Sequence, residues 1–172
     1  MILGLTGPAG AGKDTVADRL CSTYGFRKLS FAGILKRMLA AGGMPEPSRD
    51  QKEDCIPGLP FTWRDAAQKL GTEWGRGLDP DLWVKLTMMG VPPRGNWVLS
   101  DVRFPNEATA VRKQGYLLHV TGRKIALVGA TATHASEAGI RFEDGDQVIN
   151  NSANMDLLYI EIATLIGELH AY

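Results

Sequence analysis

The stretch Gly7-Pro8-Ala9-Gly10-Ala11-Gly12-Lys13 constrains this chain more than any other. It fits G-x-x-x-x-G-K and stands between a short apolar run, Ile2 to Thr6, and a segment of helical spacing, Lys13 to Tyr24, marked by Val16, Leu20 and Tyr24. Strand, glycine loop, helix is the context in which such a loop binds phosphate. Glycines let successive backbone N–H groups curl around an anion, the helix N-terminus adds partial positive charge, and Lys13 reaches the outer phosphates. The plain alternative is a glycine turn before an ordinary helix.

Asp14 follows Lys13, where the usual pattern has Ser or Thr, and the hydroxyl comes one place later as Thr15. Because Mg²⁺ prefers oxygen ligands, Asp14 is a candidate to bind it directly or to hold one of its waters, with Thr15 on the α-phosphate. The other reading of Asp14 is a first-turn carboxylate favoured by the helix dipole. A second apolar strand, Trp97 to Asp101, ends in a carboxylate and leads into Val102-Arg103. Ligands of open α/β sheets bind at the carboxyl ends of strands. Asp101 is thus a candidate for the metal's water shell and Arg103 for a phosphate clamp, unless the two form a structural ion pair.

The remaining periodicities predict strands near Phe26 to Ser30, Tyr116 to Val120 and Gln147 to Asn150. Helices are predicted over about Ala32 to Ala41, Trp63 to Trp74, Asp81 to Met89, Pro105 to Gln114 and Asn154 to Leu169. Alternating strands and helices argue for a parallel sheet covered on both faces. At 172 residues the chain is read as one domain, 1–172, with an insertion at about 43–95 and a Gly- and charge-containing stretch at about 121–146.

Lys plus Arg and Asp plus Glu are 19 each, so no excess of positive charge points to a nucleic-acid polymer. Small-molecule nucleotides are the expected partners. Cys21 and Cys55 are too few for a disulfide framework, and no apolar run is long enough to span a membrane. A cytoplasmic protein is expected, and the oligomeric state stays open, a homodimer included. Lys36, Arg64, Arg76, Arg123 and Arg141 are further cations for bringing two anions together. Trp63, Trp74 and Trp83 are candidates for stacking on a base, although core packing suits at least two of them. The cluster Thr133-His134-Ala135-Ser136-Glu137 also fits a capped short helix, and His119 and His170 read as structural.

Together these residues resemble the deoxynucleoside monophosphate kinases of bacteriophages. The features are the Gly12-Lys13-Asp14-Thr15 loop, Arg64 with Gln68 to Glu73, Trp83 to Leu86, Asp101-Val102-Arg103, His134 to Gly139 and Asp144 to Asn151, in order along nearly the whole chain. The Gly-Lys-Asp loop alone is shared with other small kinases, including phosphomevalonate kinase. The resemblance implies an α/β, three-layer P-loop kinase fold with a central five-stranded parallel sheet, a monophosphate-binding insertion and a lid. It implies ATP and Mg²⁺, with host cytoplasm as the location if a phage encodes the chain. ATP contacts would come from Gly7, Gly10, Ala11, Gly12, Lys13, Asp14, Thr15, Arg123 and Asn150, the last near the adenine with Asn151. Acceptor contacts would come from Lys36, Arg64, Glu73, Trp74, Arg76, Trp83, Arg103, His134 and Glu137. Lys13, Asp101 and Arg103 would carry catalysis, with Asp14 and Asp101 as the metal's carboxylates. The rival readings are a kinase of another small acceptor, such as phosphomevalonate or an alcohol, and an ATP-dependent switch acting on a protein partner.

Overall fold

All five residues of β1, Ile2–Thr6, are buried, as a strand covered on both faces requires. The computed structural model describes residues 1–122 and 139–170. In it β1 is the centre of a five-stranded parallel sheet of order β2-β3-β1-β4-β5. The others are β2, Arg27–Leu29; β3, Trp97–Leu99; β4, Tyr116–Thr121; and β5, Gln147–Asn150. Each lies within a residue or two of its predicted place.

The chain divides into two compact units. The first, Met1–Leu29 with Pro92–Tyr172, contains the whole sheet and the helices α1, Lys13–Tyr24, α5, Pro105–Arg112, and α6, Met155–His170. Leu3, Leu5, Val98, Leu118, Val120 and Ile149 meet Val16 and Leu20 of α1 and the Leu158, Ile162, Leu165, Ile166 stripe of α6. Each buried Leu or Ile of that stripe contributes roughly 1.5–3 kcal/mol. The opposite face of β1 meets Val111 of α5, which completes three layers.

The second unit, Ser30–Val91, starts before the insertion bounds drawn from the sequence and takes in α2, Gly33–Ala41. It continues through a 3₁₀ turn, Arg49–Glu53, then α3, Trp63–Gln68, and α4, Leu82–Met89. Its own core is Leu35, Leu39, Trp63 and Trp83. Thr62 and Asp65 cap α3 reciprocally: the Asp65 N–H donates to Thr62 Oγ1 at 3.0 Å and the Thr62 N–H to Asp65 Oδ2 at 2.9 Å.

Here the structure corrects the expected helix from Trp63 to Trp74. After Gln68 the chain widens into a π-helix, Lys69–Arg76. The cause is Trp83: its indole N–H donates to the Gly71 carbonyl at 2.7 Å, and a Cβ on Gly75 would lie 2.3 Å from its ring. Backbone here lies directly against an aromatic face, and spacing rules carry no signal for that. Among the described residues no helix is long and apolar enough to cross a membrane.

Candidate active site

Positive φ at Gly7, Gly10 and Gly12 shapes the loop between β1 and α1. At two of them space matters as much as φ. A Cβ on Gly7 would lie 2.2 Å from the Val120 carbonyl oxygen, and one on Gly12 would lie 2.2 Å from Asn151 Nδ2. Lys13, in the first turn of α1, folds back along the loop and donates to the carbonyls of Gly7 at 2.7 Å and Pro8 at 2.8 Å. Its ammonium therefore stands over the concave side of the loop, where an anion would meet it.

This loop forms one wall of a cleft of about 210 Å³ within the first unit. Gly7, Pro8, Ala9 and Lys13 face Val102 and Arg103 beyond β3, with Thr6, His119 and Thr121 from the strand ends and Gly139 and Ile140 on the return toward β5. Three predicted site residues, Gly7, Lys13 and Arg103, thus share one cleft. Asp101 lies two residues before Arg103, partly buried at the end of β3, and is not part of the lining. The turn that carries Arg103 is held by Glu107, a buried carboxylate that accepts the backbone N–H groups of Arg103 at 2.8 Å and Phe104 at 3.1 Å. A glutamate three places after the residue preceding Pro105 was the available sequence signal for that cap.

Asp14 is exposed and pairs with Lys28 of β2 at 2.9 Å; Lys28 also reaches Asp18 at 3.2 Å. Burial opposes the Lys28 charge, but the two carboxylates prevail and raise its pKa. Asp14 therefore has a structural counter-ion as well as its place in the loop. Nothing in local spacing links residues 14 and 28. Thr15 stands partly buried in the first turn of α1.

Asn150 and Asn151 divide their work. The Asn150 N–H donates to Glu161 Oε1 at 2.7 Å and its side-chain oxygen accepts the Ser152 N–H, which ties Asn150 into the turn before α6. Asn151, 2% exposed, donates from Nδ2 to the Ala11 carbonyl at 2.8 Å, so it is Asn151 that touches the phosphate loop.

His119, read from the sequence as merely structural, lines the cleft. Its Nε2–H donates to Asp146 Oδ2 at 2.9 Å. Arg112 of α5 binds the same carboxylate through Nε at 2.9 Å and Nη2 at 2.6 Å, and also reaches Glu143 and the Arg141 carbonyl. Burial of Asp146 works against ionisation. Hydrogen bonds from Arg112, the Glu143 N–H and His119, with the Arg112 charge, outweigh it and hold Asp146 at about 2.

The second unit places its predicted residues differently. Trp83 is 2% exposed and is a core residue, so the expectation that it stacks on a base is corrected: Gly71 and Gly75 cover it. Trp63 is buried too, whereas Trp74 is 47% exposed, with exposed Glu73 beside it on the π-helix. Arg76 donates to the Pro80 carbonyl at 3.1 Å. Lys36 pairs with Glu46 at 3.1 Å, and Arg64 makes an ion pair with Glu53. Arg123, His134 and Glu137 lie outside the described residues.

A phosphate loop at the carboxyl end of the central strand of a five-stranded parallel sheet, flanked by helices on both faces, defines a P-loop kinase fold. The family model described as deoxynucleotide monophosphate kinase matches residues 57–162, and the chain belongs to that family. A relative from Acanthamoeba polyphaga mimivirus, provisionally named a deoxynucleotide monophosphate kinase, is 30% identical across 96% of each chain. The deoxynucleotide monophosphate kinase of Enterobacteria phage T4 is 30% identical across 67% of this chain, which spans about half (51%) of that relative's length. The crystal structure of TT1252 from Thermus thermophilus superposes with a TM-score of 0.59 at 18% identity, over 98% of this chain and 97% of that one, a likeness of fold. This chain is a kinase, a phosphotransferase enzyme.

Proposed function

We propose that the protein transfers the γ-phosphoryl group of ATP to a deoxynucleoside monophosphate, giving ADP and a deoxynucleoside diphosphate. The observation that carries this reading is the single cleft lined by the phosphate loop with Lys13 and, opposite, by Arg103. An oxygen of the acceptor phosphate attacks the γ-phosphorus in line; the new P–O bond forms as the bond to the β–γ bridging oxygen breaks and ADP leaves. A monophosphate ester has a second pKa of about 6, so its oxygen is already largely anionic at neutral pH and no general base is needed. Loop N–H groups and Lys13 hold the donor phosphates, and Arg103 takes phosphoryl oxygens in a two-pronged fork.

Mg²⁺ bound with a nucleotide takes most of its ligands from phosphate and water and needs only one or two protein carboxylates. We propose Asp14, at the head of α1, and Asp101, two residues beyond β3, as those carboxylates; Asp14 would then exchange its pair with Lys28 for the metal or one of its waters. When bound, it neutralises phosphate charge. For the acceptor's nucleoside part we propose contacts from exposed Trp74, with Glu73 and Arg76 on the same π-helix.

The test is a coupled ADP assay with the common deoxynucleoside monophosphates and their ribose counterparts. At least one deoxynucleoside monophosphate should be converted and the matching free nucleoside not at all. Reaction of phosphomevalonate or a free alcohol, with every monophosphate inert, would overturn the acceptor. Arg103→Lys, which keeps the charge and loses the fork, should raise the acceptor KM more than it weakens ATP binding.

A further inference from the structure

Besides Lys13 and Arg103, a charged network reaches the cleft through His119. His119 stands opposite Thr6 in the register of β4 with β1, one residue before the phosphate loop begins. Its ring is packed against Phe142, with centroids 5.2 Å apart, and its side chain lines the same cleft as Lys13 and Arg103. Asp146, whose side chain is 1% exposed, is ionised and can only accept. Nε2 of His119 must therefore carry the proton in that bond, and Nδ1 has no hydrogen-bond partner among the described residues. Local packing alone does not call for a buried carboxylate, doubly gripped by Arg112, to orient a ring at the edge of a phosphate site.

We propose that His119 is a further phosphate-contacting residue of this kinase, donating from Nδ1 to a phosphate oxygen of the bound nucleotide, with Asp146 and, through it, Arg112 as positioning residues. The inference rests on the phosphate-loop reading of the cleft. Donation from both nitrogens requires an imidazolium, the form that two flanking anions, Asp146 and the phosphate, favour. The charged groups around it are Asp146 from the turn before β5, Arg112 of α5 and Glu143 behind that carboxylate, and Lys13 and Arg103 across the cleft.

Imidazole ¹⁵N spectra of the wild-type protein test this directly, since the chain has only 3 histidines and His119→Gln assigns the resonance. With inorganic tripolyphosphate the His119 Nδ1 resonance should move to that of a protonated, hydrogen-bonded nitrogen, whereas adenosine should not move it. His119→Gln should weaken tripolyphosphate binding by about tenfold, the effect of one charge-assisted hydrogen bond. Asp146→Asn, which keeps the shape and removes the charge, should reduce the protonated fraction at the same tripolyphosphate saturation. If the backbone amides of Gly10 to Lys13 shift with tripolyphosphate while Nδ1 does not respond, or if adenosine alone moves Nδ1, the phosphate contact is overturned and the phosphate-loop reading stands. If the loop amides do not respond either, both fall.

Discussion

The two units differ in where charge is held, although exposed pairs such as Lys28 with Asp14 and Asp18 occur in the sheet unit too. In the sheet unit, polar groups fix the backbone or one another so that a cleft keeps Lys13, Arg103 and His119 on its walls: Glu107 holds the Arg103 turn, Asn151 holds the phosphate loop, and Asp146 holds His119. In the second unit, cations close onto neighbouring acids, as Lys36 does with Glu46, Arg64 with Glu53 and Lys85 with Asp79. Its large buried aromatics, Trp63 and Trp83, form a core of their own. Lys13, Arg103 and His119 line one cleft, which puts all three within reach of a ligand bound there. Lys36, Arg64 and Lys85 are engaged by exposed or half-exposed acids, pairs that contribute little to stability.

That contrast breaks most easily at the loop. Lys13→Ala should lower kcat by roughly two to four orders of magnitude, the range for removing a positioned charge from a phosphoryl-transfer site. Its thermal midpoint should move by no more than about 4 °C, since Lys13 bonds loop carbonyls and contributes little to the core. Near-normal turnover in that variant would remove the loop from the chemistry.

Trp83 and Trp74 should differ in kind. Trp83→Ala should cost roughly 3–5 kcal/mol in urea unfolding, because it opens a cavity under the π-helix. Trp74→Ala should change stability by less than about 1 kcal/mol and instead raise the acceptor KM. A large stability loss at Trp74 with an unchanged KM would place both rings in the core.

The Asp146 network should show itself in acid. Its pKa is lowered from the ordinary 3.8 to about 2 in the fold, so its contribution is fully present above about pH 4 and is lost as the pH falls toward 2. The size is about 2 kcal/mol, and Asp146→Asn should flatten stability across that window. An equally steep acid limb in Asp146→Asn would assign the loss to other carboxylates.

The smallest effect belongs to the ion pairs of the second unit. Arg64→Ala should cost under about 1 kcal/mol, since Glu53 is exposed. A rise in acceptor KM beyond about tenfold would return Arg64 to the binding surface and narrow the difference between the units.

The phosphate loop, the parallel sheet and the helix boundaries were legible in the sequence because each depends on local pattern: glycine spacing, apolar alternation, a terminal stripe such as Leu158 to Ile166. That Asp101 and Arg103 would follow a strand at the carboxyl edge of the sheet was an expectation of the same kind, since strands of a parallel sheet all end on one edge. The π-helix was not, because it follows from an indole ring seated on Gly75. The same contact turned Trp83 from a candidate for base stacking into core.

By itself, then, the sequence determined that this chain would carry a phosphate-binding loop at the end of a buried strand and which family it resembles. Only the tertiary structure decided that Lys28 would face Asp14, that Asn151 rather than Asn150 would touch the loop, and that His119 would line the cleft with Asp146 and Arg112 behind it. These partners lie 14, 140, 27 and 34 residues apart in the chain. Local propensity reaches across one helical turn or one strand pair, whereas hydrogen bonds at such separations exist only after the sheet has brought its strand ends to one edge.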